Sequence, residues 1–230
     1  MDSSPATATA VIFDLDGTLV DSEPHYFEAG RHVLAAHGVT DFTWRDHTRF
    51  VGISTRETME TLRAEHAIAA PVEQLLAEKN RRYLELAARS TPAFPGMRGL
   101  VERLHAAACP LAVASGSSRA AIDAVLAGSG LAALLPVRVS ADEVAHGKPE
   151  PDVLLEAARR LGTAPEDCVV LEDAPPGAEA ARRAGMRCVA IPYVRGTERD
   201  PGFASAGLLF PGGQGEFDPR RAFDWITGAG

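Results

Sequence analysis

Ala10-Val11-Ile12-Phe13-Asp14-Leu15-Asp16-Gly17-Thr18-Leu19 is the stretch that decides how this chain is read. Val11, Ile12 and Phe13 form the end of a buried strand, and Gly17 breaks it. Residues two apart on an extended segment point to the same side, so Asp14 and Asp16 are expected to face one site. Two like charges held together cost several kcal/mol unless one carries a proton or a cation intervenes. A strand end that tolerates such a pair has a use for it.

Working outward, the chain has 230 residues and a net charge of −8, enough for one large domain or one domain carrying an insertion. No Lys/Arg-rich cluster appears, which argues against nucleic acid as a partner. An anionic substrate stays open, because a metal ion and one or two cations reverse the potential locally. Residues 1–10 show no basic region followed by an apolar core, so no secretory leader is expected. No apolar run approaches the roughly 20 residues that span a bilayer, so no membrane association is expected. Cys109, Cys168 and Cys188 each abut an apolar strand-like run and are expected to be buried, reduced thiols. A cytoplasmic enzyme or binding protein fits these features, and no extended apolar surface stripe calls for more than a monomer.

After Asp16 the pattern becomes helical. Helices are expected at about 23–37, 55–66 and 72–88, with Ser54 and Glu57 at capping-box spacing and Pro71 opening the third. From Gly99 onward helices alternate with the strands Leu111–Ala114, Val137–Val139, Cys168–Leu171 and Arg187–Ile191, with helices at about 99–107, 119–127, 151–161 and 177–184. Alternation of this kind predicts a parallel sheet covered by helices on both faces. The strand at Thr9–Phe13 must join that sheet to bury its apolar face, which makes the helical stretch an insertion. Ligands of such sheets bind beyond the carboxyl ends of the strands, where the insertion would sit. The Gly/Pro-rich stretch 201–219 reads as a loop or an irregular terminal arm.

Three further polar clusters fall past strand ends or in loops between core elements. Ser115-Gly116-Ser117-Ser118 offers a hydroxyl and free backbone N–H groups at a helix start, which suits a phosphate; alone, Ser117 or Ser118 would be an ordinary N-cap. Lys148, between Gly147 and Pro149, supplies a point charge for anionic oxygens or for holding a carboxylate ionised; alone, it would be a solvated loop lysine. Glu172-Asp173 follows Val169-Val170-Leu171, and acids at one strand end opposite acids at another suggest a hard cation such as Mg2+; alone, they would complement a helix dipole. Four coincidences on one rim are hard to attribute to chance.

Phe13-Asp14-Leu15-Asp16-Gly17-Thr18, Val113-Ala114-Ser115-Gly116-Ser117, Gly147-Lys148-Pro149 and Leu171-Glu172-Asp173 together resemble, in order, the four motifs of the haloacid dehalogenase-like superfamily. The insertion after the first motif is similar to the cap of its β-phosphoglucomutase-like branch. The resemblance implies an α/β fold: a Rossmann-like parallel sheet core with helices on both faces plus an inserted all-helical cap domain. Residues 1–20 and 93–230 would form the core and 21–92 the cap. It also implies Asp14 as nucleophile, Asp16 as acid and base, Ser115 and the Gly116 N–H on the phosphoryl oxygens, and Lys148 neutralising charge there. Mg2+ would lie between Asp14, the Asp16 backbone carbonyl, Glu172 and Asp173. The sequence departs from the branch at Ala174, where a serine is frequent. Val51-Gly52-Ile53-Ser54-Thr55-Arg56 resembles the mutase substrate loop, yet Arg56 comes one residue late and His25 one residue early, and both read as exposed cap-helix positions.

The expected activity is a Mg2+-dependent phosphatase acting on a small phosphorylated metabolite, a sugar phosphate among the candidates, through an aspartyl-phosphate. A phosphomutase uses the same core and is the alternative. A dehalogenase would leave Asp16 and the 172–173 acids idle. A non-enzymatic phosphate-binding module would have no obvious use for a helical cap.

Overall fold

A computed structural model describes residues 9–50, 55–194 and 196–228. Strands β1 (Ala10–Phe13), β2 (Leu111–Ser115), β3 (Val137–Ser140), β4 (Cys168–Glu172), β5 (Arg187–Ala190) and β6 (Leu208–Leu209) form one sheet in the order β3-β2-β1-β4-β5-β6. Every pairing is parallel. All residues of β1, β2 and β4 are buried, which is why these strands are continuous apolar runs rather than alternating ones. β1 lies between β2 and β4, and Phe13 is level with both Val113 and Leu171. The chain winds outward from β1 to β3 and then returns to β1's other side at β4. That switch opens the crevice in which such sheets bind ligands.

Helices cover both faces. On one, α5 (Pro95–Ala106), α6 (Arg119–Ser129) and α9 (Pro219–Thr227) join the cluster containing Val11, Phe13, Val113, Val169 and Leu171. On the other, α7 (Asp152–Leu161) and α8 (Pro175–Arg183) cover Ile12, Ala112, Ala114 and Val170. Local chemistry sets their ends: Ser118 caps α6, accepting from the Ala121 N–H at 3.3 Å. Two prolines open α8, where no intrahelical donor is lost.

Between β1 and β2 the chain forms α1 (Glu23–Ala36), α2 (Trp44–His47), α3 (Thr55–Glu65) and α4 (Val72–Arg89). Val33, Leu34, Phe42, Met59, Leu62 and Leu75 close a separate apolar cluster among them. The expected Ser54 cap and the stretch Val51–Ile53 lie outside the described residues. At the root of the insertion, Val20 pairs antiparallel with Ala93, and Phe94 N–H donates to Leu19 O at 3.1 Å. α4 then lies close against α6, where Gly128 lets the Ala87 carbonyl approach without a side chain between them.

The 201–219 stretch is more ordered than expected. β6 extends the sheet beside β5, and Phe203, Phe210 and Phe217 are buried against the core. Asp218 then caps α9, accepting from the Arg220 and Arg221 N–H groups. These aromatic anchors, rather than local periodicity, fix the segment. Cys109, Cys168 and Cys188 are free thiols, the latter two buried and Cys109 partly so. Among the described residues no helix is long and apolar enough to cross a membrane.

A Cβ at Gly128 would overlap the Ala87 carbonyl, and that neighbour is backbone with no rotamer to escape into. Gly128→Val is expected to destabilise the fold by about 1–3 kcal/mol, seen as a lower urea midpoint.

Candidate active site

β1 ends at Phe13, and the Asp14 N–H still donates to Leu171 O of β4 at 3.0 Å, which fixes the backbone beneath the Asp14 side chain. Lys148 Nζ donates to Asp14 Oδ1 and to Glu172 Oε2, both at 2.6 Å. Three chain segments that are far apart in sequence therefore meet at one ammonium. The other Glu172 oxygen accepts from the Ala174 N–H at 3.4 Å. Gly177, in the first turn of α8, lies directly on that carboxylate, where a Cβ would overlap it. Asp173 accepts from Thr18 Oγ1 at 2.9 Å. Its Oδ2 lies 2.5 Å from where a Cβ on Gly17 would stand, and Gly17 also adopts a φ of +83°. Both glycines are required by close approach, and Gly17 by conformation as well.

The electrostatics follow from burial and charge count. Burial, then the charge of Glu172, pushes the Asp14 carboxyl up to about 8, against the pull of Lys148. Burial, with Glu172 and Asp14 as like charges, raises Asp173 well above the carboxylate range. Burial works against the Lys148 ammonium, yet Asp14 and Glu172 outweigh it and hold the amine above the ordinary lysine range. Three carboxyl groups thus face one ammonium, an arrangement that favours either protonated Asp14 and Asp173 or a bound cation. Oxygens of Asp14, Glu172 and Asp173 lie within 4.8 Å of one another, an acidic cluster able to hold a metal ion. A divalent cation with all-oxygen ligation matches both the charge and the donor set.

Asp16 has hydrogen-bond partners of its own. Its Oδ1 accepts from Ser22 Oγ at 2.6 Å and from Tyr83 Oη at a longer 3.4 Å; its Oδ2 accepts from Ser117 Oγ at 2.7 Å. Burial raises its pKa, and the Ser22, Ser117 and Tyr83 hydrogen bonds pull it back.

Ser115, at the buried end of β2, accepts from the Ser117 N–H at 3.0 Å, and Gly116 is exposed beside it. Ser140 Oγ donates to Ser117 O at 2.7 Å and holds this turn from β3. A cavity of about 460 Å³ lies between the turn and the inserted helices, lined by Gly116, Ser117, Tyr26, Lys79 and Tyr83 among others. His25 and Arg56 are not among its lining residues. His25 Nε2 bonds Ser90 O at 2.6 Å, and Arg56 is exposed and paired with Glu73 at 3.1 Å, as an outward helix position requires.

Sequence reasoning passed over Ser22, Tyr26, Tyr83 and Lys79. Lys79 had a readable signal, since Leu75, Lys79, Tyr83 and Ala87 form the buried stripe of α4 at helical spacing. Lys79 is 5% exposed and, among the described residues, has no carboxylate at ion-pair distance. Burial pushes its amine down to about 8, with Glu23 opposing.

The sequence profile of the haloacid dehalogenase-like hydrolases matches residues 11–191. The chain belongs to that family. It is 35% identical over 181 residues to the phosphorylated carbohydrates phosphatase of Thermotoga maritima, covering 77% of this chain and 82% of that one. It is 33% identical over 190 residues to the bifunctional riboflavin kinase/FMN phosphatase of Arabidopsis thaliana, covering 81% of this chain and 49% of that protein. The chain thus corresponds to about half the length of the second relative. A solved Thermotoga maritima structure assigned as a β-phosphoglucomutase superposes with a TM-score of 0.77 at 29% identity, covering 94% of this chain and 97% of that one.

Gly177→Ala tests how tightly Glu172 must be placed. The added methyl forces the carboxylate off Lys148, and turnover of p-nitrophenyl phosphate by this haloacid dehalogenase-like hydrolase is expected to fall about 10²-fold, with the far-UV circular dichroism unchanged.

Proposed function

We propose that the chain is a Mg2+-dependent phosphatase that hydrolyses a small phosphorylated metabolite, of the sugar-phosphate class, through a covalent aspartyl-phosphate. The observation that carries this reading is the contrast between two carboxylates on one strand tip. Asp14 sits against Lys148 and the acidic pair, whereas Asp16 is held by hydroxyls beside the cavity.

Asp14 attacks phosphorus in line with the leaving oxygen. A bond from its carboxylate to phosphorus forms as the ester P–O bond breaks, and Asp16 gives its proton to the departing oxygen. Water then attacks the same phosphorus from the vacated side. Asp16 takes a proton from it, the bond to Asp14 breaks, and inorganic phosphate leaves with Asp14 again a carboxylate and Asp16 again a carboxylic acid. Lys148 neutralises charge beside Asp14 in both steps, and Ser115 with the Gly116 N–H receives phosphoryl oxygens. Asp14, Asp173, Glu172 and the Asp16 backbone carbonyl would hold the cation, which when bound offsets the negative charge of the phosphoryl group and of the acids.

The division into a core of residues 1–20 and 93–230 and a cap of 21–92 is part of this proposal, supported by the separate apolar cluster within the insertion. So are a monomeric state, a cytoplasmic location, which suits three free thiols, and the lack of nucleic-acid or membrane partners. One observation favours the alternative, a phosphomutase. Lys79 places a buried cation in the cavity wall, where a second phosphate of a bisphosphate would lie. Incubation with β-glucose 1-phosphate and a bisphosphate primer separates the two: inorganic phosphate marks hydrolysis and glucose 6-phosphate marks transfer.

Three outcomes test the assignment. Asp14→Asn is expected to lower turnover by more than ~10³-fold with the fold intact, and normal activity in that variant removes Asp14 as nucleophile. Asp173→Ala is expected to shift the Mg2+ titration to much higher concentration, and an unchanged curve counts against the ligand set. Lys79 is charged below about pH 8 and neutral above it. If it meets an anionic part of the substrate, KM rises above pH 8, approaching about tenfold per pH unit, and Lys79→Met flattens that rise.

A further inference from the structure

We propose that Tyr26 and Tyr83, a stacked pair of phenols on the inserted helices, are positioning residues that aim Asp16 at the leaving-group oxygen. This inference rests on the phosphatase reading above. Tyr83 Oη donates directly to Asp16 Oδ1 at 3.4 Å. Ser117 has a single hydroxyl proton, and that proton goes to Asp16 Oδ2 at 2.7 Å. The Ser117 oxygen is then the acceptor for Tyr26 Oη at 3.2 Å, so donation runs from Tyr26 through Ser117 to Asp16. Together with Ser22, hydroxyls engage both oxygens of Asp16, which fixes the plane of the carboxylate as well as its place.

The two phenols reach Asp16 from different helices, Tyr26 from α1 and Tyr83 from α4. Their rings stack with centroids 4.2 Å apart and planes 22° from parallel, so neither hydroxyl can swing without displacing the other ring. Packing alone does not account for the arrangement. Phenylalanine would fill the same volume, and a buried hydroxyl is costly unless it has a partner. Here both hydroxyls lead to the same carboxylate. Tyr26, Tyr83 and Ser117 also line the cavity where a leaving group would lie. The groups that hold Asp16 therefore form the wall against which the substrate is placed, and a leaving oxygen seated there meets an acid of fixed direction.

The test uses the full chain with Tyr83→Phe, Tyr26→Phe and the double variant, each assayed on an alkyl phosphate such as a sugar phosphate and on p-nitrophenyl phosphate. In the transfer step the ester P–O bond breaks while the bond to Asp14 forms, and an alkoxide needs the proton of Asp16 as it leaves. p-Nitrophenolate leaves as a stable anion and needs none. The ratio kcat/KM reports that first step alone. It is expected to fall about ten- to a hundredfold for the alkyl phosphate, part of the range that proton transfer contributes. For p-nitrophenyl phosphate the fall is expected to be at least about fivefold smaller, and unchanged far-UV circular dichroism shows that the variants are folded. Equal losses of kcat/KM on the two esters, or no loss on either, overturn the positioning role while leaving the phosphatase reading in place. Wild-type protein inert toward both esters overturns the two together.

Discussion

The ammonium of Lys148 between Asp14 and Glu172 is the contact on which the arrangement of the site depends. It joins the tip of β1, the tip of β4 and the loop entering α7, three segments that a parallel sheet brings to one rim only because β1 and β4 are neighbours. A buried ion pair of this kind is weak evidence for stability, since removing ions from water costs several kcal/mol each. Here the pair is also unbalanced: Asp173 adds a third carboxylate, and the site as built prefers a protonated acid or a bound cation to a bare cluster. That imbalance reads as a functional feature, because a fold seeking stability alone would replace the acids with apolar groups.

Asp14 and Asp16 show how one short segment separates two kinds of chemistry. They are two residues apart, and burial raises both. Asp14 is then governed by charge, with Glu172 and Lys148 pulling in opposite directions. Asp16 is governed by neutral hydroxyl donors. A nucleophile profits from a cation beside it and from rigid backbone, and a proton carrier profits from donors whose strength changes little as it gains and loses charge.

Much of the core was legible because its signals are local. Continuous apolar runs marked β1, β2, β4 and β5, and the chemistry at their ends marked Asp14, Lys148, Glu172 and Asp173. β6 was not legible: two residues, Leu208 and Leu209, become a strand only because β5 offers an edge and three phenylalanines anchor the flanks. The hydroxyl partners of Asp16 were hidden for a different reason. Tyr26 and Tyr83 read as ordinary apolar positions of amphipathic helices, and nothing in a periodicity says where a phenol's oxygen ends. Lys79 stands on the buried stripe of α4, where a charge is out of pattern. Arg56 and His25, which sequence likeness brought forward, turn away because their helical phase points them to solvent or to the Ser90 carbonyl.

The inserted helices gain access to the chemistry through two attachments of different character. The paired backbone at Val20 and Ala93 is narrow and sets where the insertion departs from the core. The contact of α4 with α6, made tight by Gly128, sets how far α4 stands above the sheet. With both fixed, the height of Tyr83 over Asp16 and of Lys79 over the cavity is determined by helix geometry rather than by loop conformation. On the proposed reading, a substrate entering that cavity meets the Lys79 amine and an oriented Asp16 before its phosphoryl group reaches Asp14. Selectivity for the leaving group and the aim of its proton donor then both depend on α4, through Lys79 and Tyr83 four residues apart on one face, so substitution in α4 that changes substrate preference also changes how Asp16 is held.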